Sequence, residues 1–87
     1  MHYFYILRCA DASLYVGQAA DLEERVHAHN IGRGPRFTRV RRPVALVYSE
    51  PHADRKAAMR RERQVKRWTQ AKKEALVAGD LDRLKKL

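Results

Sequence analysis

Residues 2–9 read HYFYILRC and residues 14–18 read LYVGQ, with four short residues, ADAS, between them. Both segments are rich in aromatic and β-branched residues, which favour extended strands. The short polar connection is typical of a turn. We therefore predict a β-hairpin, and this hairpin brings Tyr5 and Tyr15 into the same neighbourhood.

A helix is predicted directly after the hairpin. Asp21, followed three residues later by Glu24, is typical of an N-terminal cap. Apolar side chains then recur at helical spacing, so we expect a helix over residues 22–29. Gly32 and Gly34 tolerate left-handed backbone geometry and are expected to end it.

The second half of the chain predicts one more strand and more helices. Residues 44–49, VALVYS, have the β-branched and aromatic content of a strand. Asp54 is expected to cap a helix over residues 55–68, and Thr69 to cap another that ends at Gly79. The last leucines recur at helical spacing and predict a short final helix.

The predicted order β-β-α-β-α-α indicates an α+β fold, a three-stranded, mainly antiparallel sheet with flanking helices. A chain of 87 residues builds one modest core, so we expect residues 1–87 to form a single domain. Cys9 is the only cysteine, which excludes an internal disulfide and a zinc cluster. No apolar run approaches the roughly 20 residues of a membrane span, so we expect a cytoplasmic protein with no membrane partner.

The charge predicts a polyanionic partner. Nineteen Lys and Arg face 10 Asp and Glu, and a net charge of +9 on so small a chain creates a strong positive field. No acid occurs between Arg25 and Glu50. The candidates for nucleic-acid contacts are Arg33, Arg36, Thr38, Arg39, Arg41, Arg42, Arg60 and Arg63. The alternative is a small basic domain that is merely soluble or binds RNA.

Glu62 is an unexpected acid on the helix predicted over residues 55–68. The apolar face of that helix is formed by Ala58, Met59, Val65 and Trp68, and Glu62 lies on the same face. A carboxylate on a half-buried apolar stripe needs a partner. Spacing leaves two partners open, an arginine or a divalent metal, and a lone carboxylate suits Mg²⁺ better than zinc.

Other polar positions also interrupt apolar patterns. Arg25 and His29 lie four residues apart on the apolar face of the first helix, where such pairs most often form a helix edge folded over the core. Gly17 within the second strand indicates a bulge or a close backbone approach. Tyr5 and Tyr15, taken alone, are typical of ordinary sheet aromatics.

Taken together, these positions resemble the GIY-YIG nuclease family, in particular its small stand-alone, YhbQ-like members. The resemblance extends from residue 3 to about residue 70. Residues 3–5, YFY, resemble the first half-motif, although the family has Gly and Ile where this chain has its first Tyr and Phe. Residues 15–17, YVG, resemble the second, and Gly17 is its structural glycine. Ala12 stands in the hairpin turn where the family usually has a glycine.

The resemblance implies an active site of five residues. Tyr5, Tyr15, Arg25 and His29 match the family's catalytic positions, and Glu62 matches the glutamate that binds a single Mg²⁺ or Mn²⁺. Arg25 would hold a phosphate oxygen. The general base is a tyrosine whose phenolate a nearby cation favours. The resemblance allows either Tyr5 or Tyr15 in this role, and we favour Tyr15.

The implied function is metal-dependent hydrolysis of phosphodiester bonds in DNA, with RNA also open. We expect structure-selective cleavage linked to DNA repair or recombination, and a protein partner could direct it. One rival is a non-catalytic DNA- or RNA-binding module, in which the tyrosines are core residues and Glu62 pairs with Arg25. Another is a protein-interaction subunit that docks through the loop of residues 33–42.

Overall fold

The computed structural model describes all 87 residues and confirms the predicted fold class. Its sheet has the order β2-β1-β3, and both strand pairs are antiparallel. No helix is long and apolar enough to span a membrane. The elements are β1 His2–Arg8, β2 Leu14–Ala19, α1 Leu22–Asn30, α2 Arg36–Arg39, β3 Ala45–His52, α3 Arg55–Lys66, α4 Gln70–Ala78 and α5 Leu81–Lys86.

The central strand β1 has side chains in two core clusters, because successive residues of a strand point to opposite faces. Phe4 and Ile6 pack with Val65 of α3 and Leu76 of α4. Tyr5 and its neighbours on the other face pack against α1; this second cluster contains Tyr5, Leu7, Cys9, Ala19 and Val44, with Tyr15, Leu22 and Val26 beside it. Each fully buried apolar side chain contributes about 1.5–3 kcal/mol to stability. Because each cluster takes side chains from one face of β1, the sheet is covered on both faces at its central strand.

Helix ends follow the predicted caps. The side chains of Asp21, Asp54 and Thr69 each accept a hydrogen bond from a backbone N–H three residues further on, at 3.0, 2.9 and 3.2 Å. Gly79 ends α4 in the left-handed conformation, with φ 71°. Each side-chain cap stabilises its helix by about 1 kcal/mol.

The structure differs from the sequence prediction in three places. The stretch expected to be a loop contains α2, a single turn too short to produce a periodic pattern. The strand predicted over residues 44–49 occupies Ala45–His52 and includes Pro51, which an edge strand tolerates. Helix α3 ends at Lys66, two residues earlier than predicted, with Arg67 at its C-terminal cap.

Asn30 joins the end of α1 to the start of β3. Its amide nitrogen donates to the carbonyl oxygen of Val44 at 3.0 Å, and its amide oxygen accepts from the backbone nitrogen of Val44 at 2.8 Å. This pair closes the loop of residues 31–43 at its base. The backbone of the same loop meets the hairpin turn, where Ala10 donates to the carbonyl oxygen of Arg41 at 2.9 Å. The loop is thus held at two points.

Candidate active site

A chain of hydrogen bonds joins three buried side chains. The hydroxyl oxygen of Tyr5 lies 3.0 Å from Nε2 of His29, and Nδ1 of His29 lies 2.8 Å from Oγ1 of Thr38. The Thr38 hydroxyl donates its one proton to the carbonyl oxygen of Pro35 at 3.2 Å, so it must accept from Nδ1 of His29. Nε2 of neutral His29 is then the acceptor for the Tyr5 proton.

The electrostatics agree with this proton arrangement. Burial lowers the pKa of His29, and the nearby charge of Arg25 lowers it further. Burial also raises the pKa of Tyr5 well above its usual value, with a further increase from Tyr15 and Glu62 and an opposing decrease from Arg25. Both groups are therefore neutral near pH 7.

Two glycines make room for these side chains. A Cβ placed on Gly17 would lie 2.5 Å from the hydroxyl oxygen of Tyr5, which accounts for a glycine within β2. A Cβ on Gly34 would lie 2.8 Å from Oγ1 of Thr38 and would also overlap the His29 ring. Gly34 was expected to supply left-handed backbone geometry, but only Gly32 does so, with φ 85°. Gly34 instead provides space for the His29 side chain.

Tyr15 lies on the solvent side of the same cluster. Its ring meets the His29 ring edge to face, with centroids 5.3 Å apart, and stacks on Phe37 at 5.9 Å. The Tyr15 hydroxyl bonds to no other residue, and since no buried polar atom lacks a partner, it is open to solvent. Burial raises the Tyr15 pKa, as does Glu62, whereas Arg25 lowers it. Of the two phenols, only that of Tyr15 is free.

Arg25 and Glu62 approach this cluster from different helices. Arg25 is exposed on α1, one turn before His29, and its charge acts on both tyrosines and on His29. Glu62 lies on α3, which packs against β1 and β2, and its charge also acts on both tyrosines. Arg25 and Glu62 form no ion pair with each other. The structure thus brings together the five residues predicted to form the active site.

The carboxylate of Glu62 is available to a cation. Its side chain is 22 % exposed and accepts no hydrogen bond, and its nearest basic group is Nζ of Lys66, 3.9 Å away. No three His, Cys, Asp or Glu side chains come together as a metal cluster. A single half-buried carboxylate fits a hard divalent ion that keeps several waters, as Mg²⁺ does, and does not fit zinc.

Five of the predicted nucleic-acid contacts are exposed and form neither an ion pair nor a side-chain hydrogen bond, namely Arg33, Arg36, Arg39, Arg60 and Arg63. Arg41 is held within the protein, because its Nε donates to Asp11 at 3.0 Å and its guanidinium lies 4.0 Å from the centroid of the Phe37 ring. Arg42 donates to backbone carbonyl oxygens of Arg39 and Asn30. These two arginines order the loop of residues 31–43.

Thr38 was predicted to contact nucleic acid, and this prediction is wrong. Its side chain is fully buried, and its hydroxyl holds His29 in place. Phe37, which the sequence did not single out, stacks on Tyr15 and is 37 % exposed. The sequence does contain a signal for a site residue at position 37. It is an apolar ring that stands among arginines and outside every predicted strand or helix.

Comparison with known proteins finds one matching family and close relatives. Residues 1–75 match the family model described as the GIY-YIG catalytic domain. The chain is 49 % identical over 76 residues to a UPF0213 protein of Bacillus pumilus, covering 87 % of this chain and 78 % of that one. It is 46 % identical to a UPF0213 protein of Staphylococcus aureus, covering 87 % and 93 %.

Two solution NMR structures are similar to this fold. The UPF0213 protein of Bacillus halodurans is 42 % identical, with a TM-score of 0.57 over 88 % of this chain and 82 % of that one. A protein of E. faecalis is 35 % identical, with a TM-score of 0.60 over 90 % of this chain and 83 % of that one.

Proposed function

We propose that residues 1–87 form one metal-dependent endonuclease domain that cleaves DNA. The chain belongs to the GIY-YIG catalytic domain family, whose model matches residues 1–75. Family membership implies nuclease activity in general and a nucleic-acid substrate. The proposal depends above all on Glu62, whose half-buried carboxylate accepts no hydrogen bond, has only Nζ of Lys66 near it at 3.9 Å and acts electrostatically on both tyrosines. Binding alone gives no reason to keep such an acid on a helix otherwise rich in arginine.

Each side chain of the candidate site has its own role in the proposed reaction. Glu62 would hold one Mg²⁺ or Mn²⁺, which, when bound, supplies electrostatic stabilisation of the phosphate charge and of the departing 3′ oxygen. The planar guanidinium of Arg25 is suited to grip a non-bridging phosphate oxygen. Tyr15, with its hydroxyl open to solvent, would take a proton from the attacking water. Burial and Glu62 raise the Tyr15 pKa, and Arg25 opposes them. A divalent ion held by Glu62 would neutralise the effect of that carboxylate and, together with Arg25, favour the phenolate form that this step requires.

Tyr5 and His29 have a positioning role in this scheme. Their hydrogen bond is buried and occupies the Tyr5 hydroxyl, which supports Tyr15 rather than Tyr5 as the base. His29 presents its ring edge to Tyr15 and keeps that phenol in place. This role for Tyr5 agrees with the choice of Tyr15 as the general base, because only the Tyr15 hydroxyl makes no hydrogen bond within the protein.

The substrate is best described by shape. One small domain without a separate base-reading element selects structure more readily than sequence, since contacts to phosphates carry no base information. We therefore propose branched or flapped DNA, of the kind that arises in repair and recombination. A protein partner for targeting and a cytoplasmic location belong to the same proposal, the latter because a lone buried Cys9 suits a reducing compartment.

A nicking assay tests the proposal. Single-stranded, duplex, flap and four-way DNA are incubated with Mg²⁺ or Mn²⁺, and nicking is expected on the branched forms. Glu62→Ala should abolish nicking and keep DNA binding. Glu23→Ala removes an equally charged, exposed carboxylate from α1 and should nick like the unaltered protein. Binding without cleavage under either metal would leave a non-catalytic binding module.

A further inference from the structure

One face of α3, continued by its C-terminal cap residue, carries four basic side chains in a line. Lys56, Arg60, Arg63 and Arg67 follow the spacing i, i+4, i+7 and i+11, which places them in one stripe along the helix. At 1.5 Å per residue the stripe is about 16 Å long. We call these four residues the α3 cation stripe.

The four side chains of the α3 cation stripe are exposed and bind nothing within the protein. None of them forms an ion pair or a side-chain hydrogen bond. Arg55, at the start of α3, is likewise free, whereas Arg61 donates to Glu50 at 2.8 Å and Lys66 lies beside Glu62. Charges left unpaired along one line require counterions, and a phosphate backbone replaces those counterions at a gain in entropy.

The stripe lies on the same helix as Glu62 of the candidate active site. Glu62 stands between Arg60 and Arg63 in sequence, but its half-buried side chain projects roughly 100° or more around the helix axis from theirs. Tyr15 stacks on Phe37 of α2, which lies in the middle of the arginine-rich segment of residues 33–42. DNA held at Glu62 and Tyr15 would therefore need to extend around the exposed side of α3 to meet the α3 cation stripe.

The surroundings of the stripe favour double-helical over single-stranded DNA. Sites for single strands stack bases on free aromatic rings. The only aromatic side chain near the stripe is Trp68, and its ring centroid already has Nζ of Lys72 at 4.5 Å and the guanidinium of Arg61 at 5.3 Å. A straight row of cations without a stacking surface fits a regular phosphate backbone.

We propose that the α3 cation stripe binds the phosphate backbone of a duplex arm next to the cleavage site. This inference rests on the proposed nuclease function and adds the class of DNA and the surface that holds it. The stripe contributes affinity without base selectivity, because all four side chains bind phosphate groups.

The test measures binding rather than cleavage. A labelled DNA duplex and one of its single strands are titrated with protein in EDTA over a range of salt concentrations. The stripe variant carries Lys56→Gln, Arg60→Gln, Arg63→Gln and Arg67→Gln. The control carries Lys73→Gln, Arg83→Gln, Lys85→Gln and Lys86→Gln on α4 and α5, so both lose the same four charges from a +9 chain. Two-residue versions of each variant serve if a four-residue variant unfolds.

For the duplex, the slope of log affinity against log salt should shrink by about 3 to 4 in the stripe variant, roughly 0.9 for each phosphate that the protein no longer neutralises. The control should keep the unaltered slope. Equal losses in both variants would mean that net charge alone binds DNA and would overturn the proposal. A loss confined to the single strand would overturn the duplex assignment. Because the readout needs no metal, it is independent of whether Glu62 supports nicking.

Discussion

The ring of Tyr5 lies over the backbone of Gly17, its partner in the antiparallel register of β1 and β2. A methyl group at position 17 would overlap both the hydroxyl oxygen and the Cζ atom of Tyr5, at 2.5 and 2.6 Å. Tyr5 in turn donates to His29. The glycine of the second half-motif thus makes room for Tyr5 in the position from which it reaches His29.

Gly17→Ala should therefore lower the free energy of unfolding by about 1–3 kcal/mol, the usual cost of overpacking. It should also slow nicking, because the phenol of Tyr5 must move. Gly79→Ala is the control: its methyl group meets no atom within 4 Å, but its φ of 71° causes strain. This control should lose stability and keep nicking. An unchanged urea midpoint for Gly17→Ala would contradict the close packing of Tyr5.

Thr38→Val keeps the shape of the side chain and removes the acceptor for Nδ1 of His29. A buried donor left without a partner costs about 1–3 kcal/mol, so the urea midpoint should fall. The imidazole should also lose its fixed tautomer, which ¹⁵N chemical shifts report. Thr38→Ser restores an acceptor and should recover the tautomer. If valine leaves the nitrogen shifts unchanged, Thr38 does not determine the His29 proton position.

The two tyrosines should respond differently to the loss of their hydroxyl groups. Tyr15→Phe should abolish nicking and leave stability close to that of the unaltered protein, since its hydroxyl has no protein partner. Tyr5→Phe leaves Nε2 of His29 without its donor and should reduce stability by about 1–3 kcal/mol. Residual nicking is expected for Tyr5→Phe only. Full nicking by Tyr15→Phe would remove Tyr15 as the base.

Stability should depend on pH through His29. Its pKa is lowered from the usual 6.5 by burial, so the unfolded chain binds more protons than the folded one as the pH falls below that value. The contribution is fully present above pH 6.5 and is lost between 6.5 and the folded pKa. NMR titration of the imidazole measures the shift directly. His29→Gln should flatten the stability profile in this window, and an unshifted imidazole would contradict the expected effect.

A second, more acidic window should come from Glu50. Burial opposes ionisation of this carboxyl, but hydrogen bonds from Tyr48, His52 and Arg61 outweigh it and hold the pKa of Glu50 below its usual 4.5. Its contribution to stability is present above pH 4.5 and is lost as the pH falls through the folded pKa. Glu50→Gln should reduce the pH dependence below 4.5. Identical acid profiles for both proteins would mean that this network does not control acid stability.

Sequence periodicity predicted most of the fold because each long element has a repeating apolar face and a recognisable end. The cap residues Asp21, Asp54 and Thr69 all behave as predicted. Helix α2 could not be predicted, since one turn contains no repeat. The extent of β3 could not be predicted either, because a proline within a strand is tolerated only when the strand lies at the sheet edge, which is a tertiary property.

The candidate site was visible where polar residues interrupt an apolar pattern. Arg25, His29 and Glu62 each stand out in this way, and the structure places them around the same two phenols. Thr38 gave no such signal, because its role depends on a hydrogen bond with His29 that only the folded loop creates. The space that Gly34 provides is likewise a property of packing, whereas sequence reasoning considers first the backbone freedom of a glycine.

The two hydrogen bonds between Asn30 and Val44 clamp together the two ends of the intervening thirteen-residue stretch, which the contact between Ala10 and Arg41 steadies further along. Changes in the sequence or length of this stretch alter the surface beside Tyr15 while the sheet stays unaltered, as the complementarity-determining loops of antibodies vary on a constant scaffold. We expect relatives that differ in substrate preference to differ mainly in this stretch and to keep an asparagine immediately before it.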